Sequence, residues 1–164
     1  MSATTPPWLA EARRHLGLRE IPGRQHNPVI LGWLNALRSW ISDDETPWCG
    51  TFVAHCLRVS GAALPKHWYR ARAWLDWGRA IDHPEVGCIV VFERTGGGHV
   101  GFIVGRDARG RFMVLGGNQG NSVSIAPFEF TRVLGFRWPS EFPAPRPAPL
   151  PMLASRADSS TNEA

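Results

Sequence analysis

Apolar residues follow two different spacings along the chain. Before residue 60, three segments repeat them every three or four positions, which is the spacing of a buried helical face. After residue 86, short β-branched and aromatic runs alternate with Gly, Asn and Asp turns, as is typical of antiparallel strands. Helices followed by such a meander predict an α+β fold, with N-terminal helices packed on about five strands. The strands are expected at residues 89–92, 100–104, 112–115, 123–125 and 133–136.

Capping residues indicate where the helices begin. Thr5 is the expected cap of the first helix, and Gly17 is its expected end. Asn27 is expected to cap the second helix and Thr46 the third. Each of these caps is followed by proline, which is favoured at the first helical position. A further short amphipathic helix is expected over residues 70–78.

The chain of 164 residues is long enough for one domain with a full core. We assign this domain to residues 1–139. Six prolines fall between residues 139 and 151, and a polar end follows them. Residues 140–164 are therefore predicted to form an extended, largely disordered tail.

Charge and composition narrow the classes of partner. The net charge of +4 and a pI near 9.6 favour an anionic polymer. The arginines are spread out, so we do not expect nucleic-acid binding. The three cysteines form no CxxC pair, which disfavours a disulfide scaffold. Neither a signal peptide nor a membrane-spanning stretch is recognisable, so we expect a protein that is synthesised in the cytoplasm and does not insert into membranes. We also expect it to be a monomer.

Cys49 is the leading candidate for chemistry, because it falls in the first turn of the third predicted helix. The free N–H groups there and the positive end of the helix dipole stabilise a thiolate. The thiolate is the nucleophilic form of cysteine. Cys49 also lies on the apolar stripe of this helix, so packing alone is the alternative interpretation.

A histidine and an asparagine from neighbouring predicted strands complete a nucleophilic site. His99 begins one strand and Asn118 follows the next, with a turn at residues 106–110 between them. A hairpin folded at this turn places His99 opposite Gly117 or Asn118. Opposite Asn118, the carboxamide would orient the imidazole, whereas a slip of one residue would turn it to the other face. We predict that Cys49 attacks, His99 transfers the proton and Asn118 fixes the tautomer of the ring.

Four more residues are expected to contact the substrate. Gly98 ends a glycine run that lets a substrate backbone approach closely. Trp48 is a candidate for the wall of a groove. The backbone N–H of Cys49 is expected to donate to the oxyanion, with Gln25 or Gln119 as the candidate second donor.

Neither a metal nor a cofactor is expected. Cys49 and Cys56 lie about two turns apart on one predicted helix, which is too far for both to bind one zinc ion together with His99. No setting in the sequence suggests chemistry for the remaining histidines, which are His15, His26, His55, His67 and His83. We expect His55 on the exposed side of its helix.

Five ordered motifs surround these candidates. They are Glu20-Ile21-Pro22-Gly23 with Asn27-Pro28, Pro47-Trp48-Cys49, Ala71-Arg72-Ala73-Trp74-Leu75, Gly98-His99-Val100-Gly101-Phe102 and Leu115-Gly116-Gly117-Asn118-Gln119. Together they resemble the papain-like cell-wall hydrolases of the NlpC-type and CHAP (cysteine, histidine-dependent amidohydrolase/peptidase) superfamily, in particular its phage-lysin-like branch. The resemblance covers about residues 7–139. It implies a papain-like fold that hydrolyses peptidoglycan amide bonds through a thioester, without metal.

The resemblance implies an endopeptidase or an N-acetylmuramoyl-L-alanine amidase that acts as a lysin or as an antibacterial toxin. The expected partners are peptidoglycan and either a delivery system or an immunity protein. A holin or a specialised secretion system would bring the protein to the cell wall, in the periplasm or outside the cell. Two alternatives stay open, namely a cysteine deamidase or acyltransferase acting on protein or lipid, and a non-catalytic wall-binding module.

Overall fold

The protein, as a computed structural model, is described over residues 5–21, 26–37 and 48–154. Within these ranges helices precede strands, which confirms the predicted α+β class. Six strands are present where about five were expected, because β1 adds a two-residue strand. The elements are α1 (Pro7–Arg14), α2 (Pro28–Ala36), α3 (Cys49–Val59), β1 (Arg79–Ala80), β2 (Ile89–Arg94), β3 (Gly97–Arg106), β4 (Phe112–Gly116), β5 (Ser124–Phe128) and β6 (Val133–Trp138), with 3-10 helices at Ala71–Asp76 and Phe130–Arg132.

The strands form one sheet in the order β1-β6-β2-β3-β4-β5, with antiparallel pairing between the neighbouring strands. The predicted meander is confirmed for β2 to β5. β6 departs from it, because it returns to pair with the other edge of β2. The first half of β2 and most of β3 are therefore buried. In the part of the chain that the structure describes, no helix has the length and apolar character needed to cross a membrane.

Two of the helix starts can be compared directly with their predicted caps. Asn27 caps α2 as predicted, since its Oδ1 accepts a hydrogen bond from the backbone N of Val29 at 2.8 Å. The cap of α1 is Pro6 rather than Thr5, and it makes no side-chain hydrogen bond. Proline in the first turn sets the helical φ without needing a cap.

The helix that carries Cys49 begins later than predicted. Its N-cap is Trp48 and its first residue is Cys49, whereas Thr46, the predicted cap, lies outside the described residues. The predicted inward face is confirmed, because Phe52, Val53, Cys56 and Leu57 are all fully buried. The later start brings Cys49 nearer to the positive end of the helix than the sequence indicated.

The segment predicted as a fourth helix is a 3-10 helix, Ala71–Asp76. Ala71 and Trp74 are buried, as expected from their spacing. The indole N–H of Trp74 donates to the carbonyl of Trp68 at 3.0 Å. Because the segment has only six residues, the tighter 3-10 turn is sufficient to bury these two side chains.

The β3–β4 hairpin has the predicted register beside the site. Phe102 pairs with Leu115, and Ile103 pairs with Val114, before a bulge shifts the register by one residue. Asp107 stabilises the turn, because its Oδ2 accepts from Nε of Arg111 at 2.8 Å and its Oδ1 accepts from backbone N–H groups of the turn. Because the buried carboxylate of Asp107 and the guanidinium of Arg111 are held by these charge-assisted hydrogen bonds, the turn is restricted to a single conformation.

The predicted C-terminal tail has two parts. Residues 155–164 lie outside the described residues. Residues 140–154 differ from the prediction, since they are extended but hydrogen-bonded to the domain. Leu153 donates to Arg106, whose own N–H donates to Pro151. The ring of Phe142 contacts that of Trp8 at 4.9 Å. A proline-rich chain packs in this way because its extended conformation is already restricted.

Candidate active site

Cys49 lies where the N-terminus of α3 meets the start of β3. Its side chain is buried, with 6% of the residue exposed. Burial raises the pKa of this thiol, but a hydrogen bond and the positive charge of His99 lower it, as do the backbone N–H groups of Val100 and Gly50. The net effect is a lowered pKa, so Cys49 ionises more readily than an ordinary cysteine.

The other two cysteines behave in the opposite way. Cys56 is fully buried, and this burial raises its pKa well above the usual value. Burial likewise raises the pKa of Cys88 to about 12. Neither pKa is lowered by a histidine, so both thiols stay protonated at neutral pH. Cys49 is therefore the one cysteine whose surroundings favour the nucleophilic form.

The imidazole of His99 is held in one tautomer by Gln119. Nε2 of the ring lies 3.0 Å from Oε1 of Gln119. The amide group of Gln119 points its nitrogen at the carbonyls of Val114 and Ser124, at 3.1 and 2.9 Å. Because both of these carbonyls can only accept, the amide orientation is fixed and Oε1 faces the ring as an acceptor. Nε2 must then carry the proton, and Nδ1 is the basic nitrogen of the neutral ring.

Packing also restricts the plane of the ring. The imidazole of His99 stacks on Phe128 with a centroid separation of 5.2 Å and an interplanar angle of 7°. Phe128 in turn stacks on Phe92 at 4.8 Å. His99 is completely buried between these neighbours. With its plane set by stacking and its tautomer set by hydrogen bonding, the ring is preorganised for proton transfer.

Residues 41–118 match the CHAP domain family. The match is consistent with a member of the CHAP/NlpC-type papain-like superfamily, and it confirms the resemblance that the sequence motifs predict. It includes Cys49 and His99 and ends one residue before Gln119. CHAP domains are typically cysteine- and histidine-dependent amidohydrolases or peptidases. Among curated proteins, none matches the chain.

In the structure, Gln119 occupies the place predicted for Asn118 at Nε2 of His99. The β3–β4 ladder ends at the pair of Phe102 and Leu115, and β4 itself ends at Gly116. Asn118 adopts a φ of +60°, so strand alternation does not continue to position 118. Asn118 is buried at this turn. The Asn-Gln-Gly-Asn sequence that follows Gly117 is rich in turn-forming residues, and this was the signal that the strand stops earlier.

The turn lets Gln119 reach back under β4. A Cβ atom at Gly116 would collide with the Gln119 amide and lie 3.4 Å from Nε2 of His99. Glycine at this position therefore leaves room for the carboxamide beside the ring. Backbone pairing secures the loop as well, because the N–H of Gln119 donates to Ser122 at 3.0 Å and Arg19 bridges to Ser122.

The structure separates the residues predicted to contact the substrate. Trp48 is a core residue with 1% exposure, and its indole N–H donates to Glu20 at 3.2 Å. Its predicted place in a groove wall is therefore wrong. Gln119 uses its amide donors within the protein and is not the second oxyanion donor. Gln25 lies outside the described residues. Gly98 is half-buried beside Arg72, and its contact with substrate stays a prediction.

An open cleft of about 490 Å³ is lined by the segment between residues 65 and 76. Its lining segment contacts the neighbours of both reactive residues. Gly50, which follows Cys49, packs on the backbone of Trp68 and Tyr69. Arg72 donates through Nε to the carbonyl of Gly97 at 2.9 Å. The lining residues are Pro65, Lys66, His67, Arg70, Arg72, Ala73 and Asp76.

The cleft carries more positive than negative charge. Lys66, Arg70 and Arg72 are all exposed there, and Asp76 is the acidic residue in the lining. The volume falls within the range of small-molecule sites. An anionic segment of substrate would be attracted to this side of Cys49 and His99.

Proposed function

We propose that the protein is a peptidoglycan hydrolase that cleaves an amide bond of the cell-wall peptide, as an endopeptidase or an N-acetylmuramoyl-L-alanine amidase. The CHAP match supports a peptidoglycan hydrolase family. The observation that carries the proposal is the pairing of Cys49, whose pKa is lowered, with His99, whose tautomer is fixed by Gln119. This arrangement supplies a nucleophile and a proton carrier at one place.

The proposed reaction has two steps. Proton transfer from the thiol to Nδ1 of His99 gives a thiolate, which attacks the carbonyl carbon of the amide. His99 then returns the proton to the leaving nitrogen, the C–N bond breaks, and a thioester to Cys49 remains. In the second step His99 takes a proton from water, and the resulting hydroxide attacks the thioester. The C–S bond then breaks, His99 returns its proton to the sulfur of Cys49, and the acyl group leaves as a carboxylic acid.

Two features of the site support stabilisation of the charges in this reaction. The N-terminus of α3 directs backbone N–H groups towards Cys49, where a tetrahedral oxyanion would form. We propose the N–H of Cys49 as one donor to that oxyanion. Gln119 keeps the Nε2–H bond while Nδ1 gains and loses its proton, so the ring does not have to turn between the two steps.

The basic cleft supports a cell-wall peptide as substrate. Peptide stems of peptidoglycan carry free carboxylates, and three exposed cations line this cleft. We propose that Lys66, Arg70 and Arg72 attract such carboxylates and place the scissile amide over Cys49. Exposed ion pairs contribute little energy each, so the cleft would orient the substrate by several weak contacts.

The place of action is part of the proposal. The protein would act on the wall in the periplasm or outside the cell, after delivery by a holin or a specialised secretion system. A holin gene beside the coding gene would favour a lysin, whereas an immunity gene would favour an antibacterial toxin. An immunity protein would then be expected to bind the Cys49 side of the domain.

Digestion of purified sacculi tests the proposal. The wild-type protein is expected to release fragments whose masses identify the amide bond that was cut. Cys49→Ala should reduce the rate by about 10,000-fold or more. Cys88→Ala is the matched control, because it removes a thiol that is fully buried and whose pKa is raised, and it should retain activity in proportion to folded protein.

Two results would overturn the proposal. One is equal digestion by the wild-type protein and Cys49→Ala, and the other is no digestion by either. If sacculi stay intact while a thiol-reactive substrate probe labels Cys49, the deamidase or acyltransferase alternative replaces hydrolysis of the wall. A wall-binding module without catalysis would bind sacculi equally well with Cys49→Ala and label no faster than a free thiol.

A further inference from the structure

A second cluster of reactive side chains lies between α1 and α3, apart from the Cys49–His99 pair. Nε2 of His15 lies 2.7 Å from Oε2 of Glu11, and Nε2 of His55 lies 2.8 Å from the same oxygen. All three atoms fall within 4.8 Å of one another. Two imidazole nitrogens and a carboxylate oxygen thus converge on one point.

The positions of these residues follow from helix geometry. Glu11 and His15 are four residues apart at the end of α1, so their side chains share one face. His55 comes from α3, six residues after Cys49. That spacing corresponds to a rise of about 9 Å along the helix, which separates the cluster from the thiol.

Aromatic packing holds both imidazoles in place. Trp33 of α2 stacks on His55 with a centroid separation of 4.8 Å and an interplanar angle of 20°. The same indole contacts His15 edge-on at 5.1 Å. The side chains of His15, Glu11 and His55 are 20%, 15% and 13% exposed. A small ion could therefore reach the ligand atoms, while the rings have little freedom to turn away.

We propose that Glu11, His15 and His55 form a binding site for a divalent transition metal, with Zn²⁺ as the best fit. Two imidazoles and one carboxylate are an established zinc ligand set, which leaves a fourth position for water. Tetrahedral bonds of 2.0 to 2.1 Å place ligand atoms about 3.3 Å apart. The two contacts with Glu11 would have to open by about half an ångström to admit the ion, and the two imidazole nitrogens, which lie within 4.8 Å of each other, would be held at a similar separation.

The site would act as a clamp between two helices. It joins α1 to α3, the helix that presents Cys49 at its N-terminus. Arg14 pairs with the other carboxylate oxygen of Glu11 at 3.1 Å, which leaves Oε2 for the ion. This metal would stabilise the fold and take no part in the proposed hydrolysis, so the inference stands whether or not the protein cleaves peptidoglycan.

Metal titration of tag-free, chelator-treated protein tests the clamp. The Cys49→Ala variant serves as the parent, so that the thiol and His99 cannot bind the ion together. Calorimetry should show one Zn²⁺ per chain, and Co²⁺ should give the absorption of a four-coordinate nitrogen and oxygen site. At a hundredfold excess over Kd, Zn²⁺ should raise Tm by about 5 to 10 °C.

Substitutions assign the ligands. His15→Gln and His55→Gln should each weaken binding by more than about 100-fold, beyond the loss expected for an outer-shell partner. His83→Gln is the matched control, since His83 is exposed and belongs to neither helix, and it should leave Kd unchanged. Circular dichroism in chelator checks that each variant is folded.

Chemical modification of the histidines in the parent protein tests the same assignment without substituting any ligand. Zn²⁺ should protect His15 and His55 from diethylpyrocarbonate and leave His83 reactive. The proposal is overturned if the parent takes up no Zn²⁺, or if Zn²⁺ binds and these two histidines stay as reactive as before. In either case the cluster is only a hydrogen-bonded network around Glu11.

Discussion

Oε1 of Gln119 accepts a hydrogen bond from Nε2 of His99 at 3.0 Å, and solvent is almost excluded from both side chains. Because the same amide donates to the carbonyls of Val114 and Ser124, turning it over would break three contacts at once. The loop after β4 thus determines which imidazole nitrogen of His99 carries the proton and which one is free to accept a proton. The activity of the site should depend on this loop as well as on the nucleophile.

Removing the Gln119 carboxamide should impair proton transfer. We expect Gln119→Ala to lower kcat/KM by about 10- to 100-fold, mainly through kcat, because the wrong tautomer becomes populated. Asn118→Gly is the control, since glycine tolerates the φ of +60° at this position and only the side chain is lost. Steady-state kinetics with a soluble muropeptide measures both. If Asn118→Gly lowers kcat/KM more than Gln119→Ala does, Asn118 and not Gln119 orients the imidazole.

Alkylation should distinguish Cys49 from the other two thiols. Because its pKa is lowered, Cys49 should react with iodoacetamide at pH 7 faster than a free cysteine. The rate should fall as the pH drops through that lowered pKa, where the thiolate is protonated. His99→Ala should move the inflection upward, since His99 is the group that lowers the pKa.

Cys56 and Cys88 serve as internal controls for this measurement. Both are buried and have raised pKa values, so neither should be alkylated in folded protein at neutral pH. Peptide mass spectrometry assigns the label. An inflection for Cys49 that is the same with and without His99 would contradict the thiolate–imidazole pairing.

A methyl group at Gly116 should damage the site selectively. Its Cβ would displace the Gln119 amide and crowd Nε2 of His99, so Gly116→Ala should lower kcat by at least about tenfold. Gly32→Ala is the matched substitution, because Gly32 lies exposed in α2 with open space around it. It should raise stability by up to about 1 kcal/mol without changing kcat. Activity assays alongside thermal unfolding separate the two effects, and equal kcat values would refute the steric argument.

Neutralising the cleft should weaken substrate capture. Lys66→Gln and Arg70→Gln should each raise KM by about two- to fivefold, because an exposed ion pair contributes at most about 1 kcal/mol. The effect should shrink as salt is added, since added ions screen exposed charges. Arg13→Gln removes an exposed charge from α1 and controls for net charge. A KM that rises equally in all three variants would point to overall charge instead of the cleft.

Local patterns predicted much of this fold. The cap at Asn27, the inward face of α3 and the pairing of Phe102 with Leu115 follow from short-range rules. Each rests on residues that are neighbours in sequence or across one turn. The position of Cys49 in the first turn of its helix was predicted in the same way.

The orienting residue could not be predicted by these rules. The register argument assumed that the strand continues to Asn118, whereas the chain turns after Gly116 and delivers Gln119. The contact between His99 and Phe128 depends on how distant strands pack, which no local pattern indicates. Local patterns also could not predict the cluster of Glu11, His15 and His55, because only the packing of α1 on α3 brings these residues together.

The tail segment beside β3 has a consequence for where the chain can be shortened. The backbone N–H of Arg106 donates to Pro151 and its carbonyl accepts from Leu153. Residues 151–153 therefore cover the margin of β3 at its C-terminal end, where the backbone N–H and C=O groups of Arg106 would otherwise lack these partners. Such margins recruit strands from other molecules. We expect a protein truncated after Pro139 to expose that margin and to self-associate more readily than the full chain, which size-exclusion chromatography would detect.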